Sequence, residues 1–172
     1  MIPDVNGDSD ALLRSLWLSV SKVDGIVMTF DVFSFVFMEM LTWPEPYDGP
    51  KISQMSEVGL MQLEDIMNRG PCGVKCHDIL MLVSDIIGWR YLQLYGNHEI
   101  LNHLNETNEY ITPLQWRSYA SPQHPRDMFA PGGRMYESMM DQYLGFARIS
   151  TSSKGESAGT LFVHGGIDLP WL

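Results

Sequence analysis

Tyr91-Leu92-Gln93-Leu94-Tyr95-Gly96-Asn97-His98-Glu99 decides how the chain is read. The apolar run from Tyr91 to Tyr95 ends in Gly96, and Ile100 and Leu101 restart an apolar pattern after three polar residues. Run, break and restart read as a buried strand, a tight turn and a helix start. Gly96 permits a backbone conformation that a residue with Cβ would resist. Asn97 offers a hard amide oxygen suited to a divalent cation, and His98 offers a titratable ring. Alone, the same stretch also reads as an ordinary strand-to-helix turn with polar caps.

Working outward, the stretch before it has the same grammar. Residues 58–63 form a second strand candidate that ends in Glu64-Asp65, and a loop with Asn68-Arg69-Gly70-Pro71 follows. Residues 73–87 place Val74, Ile79, Leu80, Val83 and Ile87 at helical spacing, ahead of a strand over 90–95. Strand, loop, helix, strand is a βαβ unit, expected to be parallel and right-handed. Ligands in such sheets sit beyond the carboxyl ends of the strands, where Asp65 and Asn97 fall.

The N-terminal stretch begins with the polar turn Asp4-Val5-Asn6-Gly7-Asp8. A helix over 10–23 follows, with Leu12, Leu13, Leu16, Trp17 and Val20 on one face and Asp8 or Ser9 as its cap. A strand should precede such a loop, yet only Met1 to Pro3 are available, so the first strand looks cut short. Residues 26–43 are apolar and rich in aromatics, with helix and strand both open. Residues 44–50 are a proline-rich loop. Downstream, Thr112-Pro113 suits a helix start. A loop over 126–133 and a helix over 134–144 come next, then a strand over 146–149. A serine-rich connection over 150–159 leads to a last strand over 160–163, which ends in His164-Gly165-Gly166.

Composition bounds the function. The chain has 172 residues, 45% of them hydrophobic, which suits a single folded domain. Its net charge of −10 argues against a nucleic-acid partner. The N-terminus has no signal-like pattern, and the longest apolar stretch is too short and too charged for a confident span, so no membrane partner is expected. Cys72 and Cys76 sit four apart, a poor disulfide spacing on one helix face, and read as reduced thiols of a cytoplasmic protein. A metal role for them is unsupported by any second pair.

Several strands thus end in polar loops, at Asp4 and Asn6, Asp65, Asn97 and His98, and His164. Carboxylate, amide and imidazole groups at one sheet edge are what a di-metal hydrolase needs, since cations held there clamp a phosphoryl group and activate water. The chain resembles the calcineurin-like metallophosphoesterases of the phosphoprotein-phosphatase type, and most of all the Shewanella-like protein phosphatase branch. Gly96-Asn97-His98-Glu99 and Phe162-Val163-His164-Gly165-Gly166 match that family's motifs intact. Asp4-Val5-Asn6-Gly7-Asp8 stands against its Asp-x-His-Gly pattern, and Glu64-Asp65-Ile66-Met67-Asn68-Arg69-Gly70 against Gly-Asp-x-x-Asp-Arg-Gly.

The resemblance implies an α/β fold, the metallophosphoesterase sheet with flanking helices, here only the N-terminal part of the sandwich over residues 1–172. It implies that Asp4 and Asn6 bind a first metal, that Asp65 bridges, and that Asn97 and His164 bind a second; the metals would be manganese, iron or zinc. Arg69 would hold the phosphate and His98 would be the general acid. The reaction would be hydrolysis of a phosphoester, a phosphorylated protein or a small molecule, by di-metal-activated water. The departures matter equally. Asn6 replaces a histidine ligand, Glu64 a glycine, and Asn68 the carboxylate that pairs with the catalytic histidine. Asn68 would still accept a hydrogen bond from His98. The family's C-terminal half and its further histidine ligand are absent. Impaired activity with one weak metal site is therefore expected, and the alternative is an inactive phosphatase-like binding protein or truncated remnant. The missing half-sheet would expose an apolar edge and favour self-association.

Overall fold

The computed structural model describes residues 1–2, 4–20, 29–42, 59–63, 65–106, 111–118, 124–150 and 159–165. Glu64, Gly166 and most of the expected proline-rich and serine-rich connections lie outside them. The chain is a mixed α/β structure. Helix α1 (Ser9–Val20) is capped by Asp8, whose Oδ1 accepts from the backbone N–H groups of Asp10 and Ala11 at 3.0 Å. The open segment resolves as helix α2 (Phe30–Thr42), which seats Phe33 and Val36 in the core. Strand β1 (Leu60–Gln62), helix α3 (Gly73–Ile87) and strand β2 (Tyr91–Leu94) form the expected parallel unit, with Leu60, Met61 and Gln62 opposite Tyr91, Leu92 and Gln93. Arg90, expected in the strand, instead ends a 3-10 turn, Gly88–Arg90. Ahead of α1, Ile2 pairs with Gln62 through one isolated parallel bridge.

Helix α4 (Asn97–His103) starts where the quoted stretch places a helix. Helix α5 (Pro113–Ser118) follows Thr112, whose Oγ1 accepts from the N–H of Gln115 at 3.2 Å. Two expectations fail here. The loop over 126–133 is partly helix α6 (His124–Phe129), and the helix over 134–144 stops as α7 (Arg134–Gln142). Tyr143–Leu144 forms strand β3 instead, pairing with Gln93 and Leu94 of β2. Two residues with a free sheet edge beside them gain more from the ladder than from half a further helical turn. Strands β4 (Phe146–Ser150) and β5 (Gly159–Val163) form a separate antiparallel ribbon.

Alternation along the strands divides the core. Leu60, Tyr91 and Tyr143 join the main cluster with Leu12, Leu16, Phe33, Ile79, Leu80, Val83, Met135 and Met139. Met61 and Leu94 point to the other face and pack with Ala147 of the ribbon and the partly buried Phe162. Leu144, Phe146 and Leu161 remain exposed at that end. Among the described residues no helix is long and apolar enough to cross a membrane.

One buried polar link ties α3 to the last strand of the parallel sheet. His77 Nδ1 meets the Tyr143 hydroxyl at 2.8 Å and Nε2 meets Ser138 Oγ at 2.9 Å. Burial holds its pKa down at about 4, against an ordinary 6.5. Below pH 6.5 the unfolded chain therefore binds more protons than the folded one. The neutral ring's contribution is complete above that pH and is lost as pH falls toward 4. The loss should reach about 3 kcal/mol. Urea unfolding of the parent and His77→Gln between pH 7 and 4 checks this, and the variant should show a shallower fall with acid. Equal slopes would contradict it.

Candidate functional site

Two loops are knitted together before any side chain is considered. Val5 and Asn6 both donate backbone N–H groups to the Asp65 carbonyl at 3.1 Å, and Gly7 donates to the Ile66 carbonyl at 2.8 Å. Gly70 returns a bond to the Asn6 carbonyl at 2.7 Å, and Cys72 donates to that of Gly7 at 2.9 Å. A Cβ on Gly7 would stand 2.7 Å from the Gly70 carbonyl oxygen, so the two loops touch only because glycine is there. Asn6, Asn68 and Arg69 take left-handed backbone conformations at φ 46°, 65° and 57°. Such conformations persist only where surrounding bonds enforce them, and they cluster at functional sites.

Gly96 plays a different part from the one expected. Its φ of −94° is open to any residue. A Cβ there would instead overlap Asp65 Oδ1 and crowd Glu99 Oε2 at 2.7 Å. Glycine is required for space, not for conformation. Glu99 uses that space: fully buried, it accepts from the N–H groups of Ile66 at 3.1 Å and Met67 at 2.9 Å through Oε1, and from Gly96 at 2.9 Å through Oε2. Burial pushes its carboxyl up to about 7, with the Asp65 charge adding to the rise and the three N–H groups opposing it. The carboxylate clasps the loop after β1 to the turn after β2.

The side chains then converge. Asp65, buried after β1, accepts the His98 backbone N–H on Oδ1 at 3.0 Å. His164, at the end of β5, brings Nε2 to 2.9 Å from Asn97 Oδ1 and 3.7 Å from Asp65 Oδ1. His98 Nε2 faces Asp65 Oδ2 at 3.7 Å. Burial is the largest influence on the His98 ring and lowers its pKa; Arg69 and His164 also lower it, against the raising charges of Asp65 and Asp4. Asp4 is exposed, and Asn6 Oδ1 is buried with no hydrogen-bond partner among the described residues. Arg69 is exposed and lines a cavity of about 570 Å³ with Asn6, Asp8, Ser9, Asp10 and Cys72. That cavity adjoins the site through Asn6 and Arg69 but is not lined by Asp65, Asn97 or His164.

Comparison with family models, with curated proteins and with solved structures returned no significant match. Among the described residues, no group of three or more His, Cys, Asp and Glu side chains has the geometry to hold a metal ion. The converging set is one carboxylate, one amide oxygen and one imidazole, with the orphaned Asn6 oxygen in the adjoining loop. Such hard and borderline donors fit a divalent cation with open positions for water.

Asn68 corrects an expectation. Its Nδ2, not its Oδ1, faces His98 Nδ1, at 3.1 Å. Oδ1 is taken by Asn102 Nδ2 at 3.3 Å and Gln115 Nε2 at 3.0 Å. Glu99, Asn102 and Gln115 were not singled out from the sequence. Asn102 had a usable signal, since it stands one helical turn after His98, on the same helix face. Gln115 had none.

Proposed function

We propose that the chain is a metal-dependent phosphoester hydrolase of impaired activity, with a phosphorylated protein or small phosphoester as substrate. The observation that carries this reading is the convergence of Asp65, Asn97 and His164 beyond strand ends, with His164 Nε2 2.9 Å from Asn97 Oδ1 and 3.7 Å from Asp65 Oδ1. The residue resemblance points to the same chemistry. Asp65, Asn97 and His164 would hold one divalent cation, manganese, iron or zinc, and Asp4 and Asn6 would offer ligands to a second. A bound cation supplies positive charge against a phosphoryl group and acidifies water.

The remaining work falls to the chain's own groups. Arg69 offers a bidentate guanidinium at the cavity for phosphate oxygens. His98 presents Nε2 on the Asp65 side, where a phosphoryl or leaving-group oxygen would lie. The Glu99 clasp and the Gly96 gap fix the positions of Asp65 and His98. The amide at Asn68 gives His98 no carboxylate to stabilise an imidazolium, so proton donation is weak. Exposed Leu144 of β3, with Phe146 and Leu161 of the ribbon, supports self-association. An inactive binding protein is the second reading, favoured by Asn6 and Asn68. Manganese-dependent turnover of p-nitrophenyl phosphate, with Asp65→Asn as control, separates the two.

A further inference from the structure

The amide network behind His98 has a polarity that can be traced to a fixed point. Asn102 Nδ2 lies 2.7 Å from the backbone carbonyl of His98, one turn earlier in α4. A carbonyl oxygen only accepts, so the Asn102 atom there must be its NH₂ group. The same nitrogen stands 3.3 Å from an Asn68 side-chain atom, which must then be Oδ1. Gln115 Nε2 donates to that oxygen as well, at 3.0 Å. The other end of the Asn68 amide is therefore Nδ2, and it meets His98 Nδ1 at 3.1 Å. An NH₂ group only donates, so Nδ1 must be the bare, accepting nitrogen. Asn68, Asn102, Gln115 and the His98 ring are all buried, so water does not compete for these bonds.

We propose that Asn102 is a positioning residue which, relayed by Asn68, fixes the proton of His98 on Nε2. Nε2 then carries a proton whether the ring is neutral or charged. On the Asp65 side of the site it is a permanent hydrogen-bond donor. It neither takes a proton from water nor binds a cation through that atom. This narrows its part in hydrolysis to donation toward a phosphoryl or leaving-group oxygen. That part rests on the hydrolase reading, whereas the tautomer does not.

Long-range ¹⁵N–¹H spectra of the ¹⁵N-labelled parent chain, with neither metal nor phosphoester added, read the two His98 nitrogens directly. The expected result is a protonated Nε2 and a bare Nδ1, favoured by about tenfold or more, the worth of one hydrogen bond. Asn102→Asp puts an acceptor where one of the two donors to Asn68 Oδ1 stands, and the Asn68 amide turns over together with that of Gln115, whose Oε1 then accepts from Asn68 Nδ2. Its His98 proton should move to Nδ1, a spectroscopic change that loss of packing alone would not produce. A parent with the proton on Nδ1, or a folded Asn102→Asp variant with the tautomer unchanged, would overturn the proposal. Should Asn102→Asp fail to give a folded spectrum, the parent spectrum decides alone. Because no turnover is measured, a failed tautomer assignment and a failed hydrolase assignment remain separate results.

Discussion

Glu99→Ala is expected to cost roughly 3–9 kcal/mol of folding stability, the sum of leaving three buried N–H donors unpaired. Those donors belong to Ile66, Met67 and Gly96, on two different loops. The side chain is fully buried, so its removal opens a polar void at the junction of β1 and β2. A domain of this size has only about 5–15 kcal/mol in hand, so the variant should be close to unfolding. Glu99→Gln should be milder. Its remaining oxygen can still accept from Ile66 and Met67, while the NH₂ end opposes the Gly96 N–H. Urea unfolding of parent and both variants measures the order. A loss of under about 1 kcal/mol for Glu99→Ala would mean that water satisfies the donors and that the clasp is not structural.

The second large effect is a gain. General acid catalysis contributes roughly 10²–10⁴-fold where donor and leaving group are matched. Asn68→Asp would present a carboxylate to His98 Nδ1 and favour a charged ring, but proton donation helps little without an activated nucleophile. Asn6→His would supply an imidazole where an amide oxygen is now buried without a partner among the described residues. The left-handed backbone at Asn6 is no obstacle, since histidine is among the residues enriched there. The double variant should therefore exceed the combined effect of the two single changes, as groups acting together are non-additive. The measurement is p-nitrophenyl phosphate turnover with manganese across the four proteins. A parent as fast as the double variant would show that both substitutions are tolerated. Four silent proteins would mean that ligands beyond these residues dominate.

The βαβ unit and its helix boundaries were legible because 3.6-residue spacing in α3 and the apolar run of β2 are local signals. Helix α2 was not, since a segment apolar on nearly every side carries no period. Strand β3 was hidden because two residues pair only through a neighbour far away in sequence. At the site, Asp65, Asn97, His98 and His164 could be named from loops at strand ends. The groups that hold them could not. Glu99 acts by accepting backbone donors from another loop, a role its place in the Gly96–Glu99 motif does not reveal, and Gln115 by reaching Asn68 across 47 positions, which leaves no sequence pattern. Gly96 was noticed for the wrong reason, because the space it leaves for Asp65 exists only in the folded chain.

The dependence of parent turnover on manganese tests the central claim most directly. Asp65, Asn97 and His164 together should give slow, saturable hydrolysis of p-nitrophenyl phosphate that rises with manganese and half-saturates weakly, as expected of a site with open positions. Asp65→Asn should abolish it while leaving the circular dichroism spectrum unchanged. A parent whose turnover is independent of manganese, or no higher than that of Asp65→Asn at saturating metal, would contradict the account.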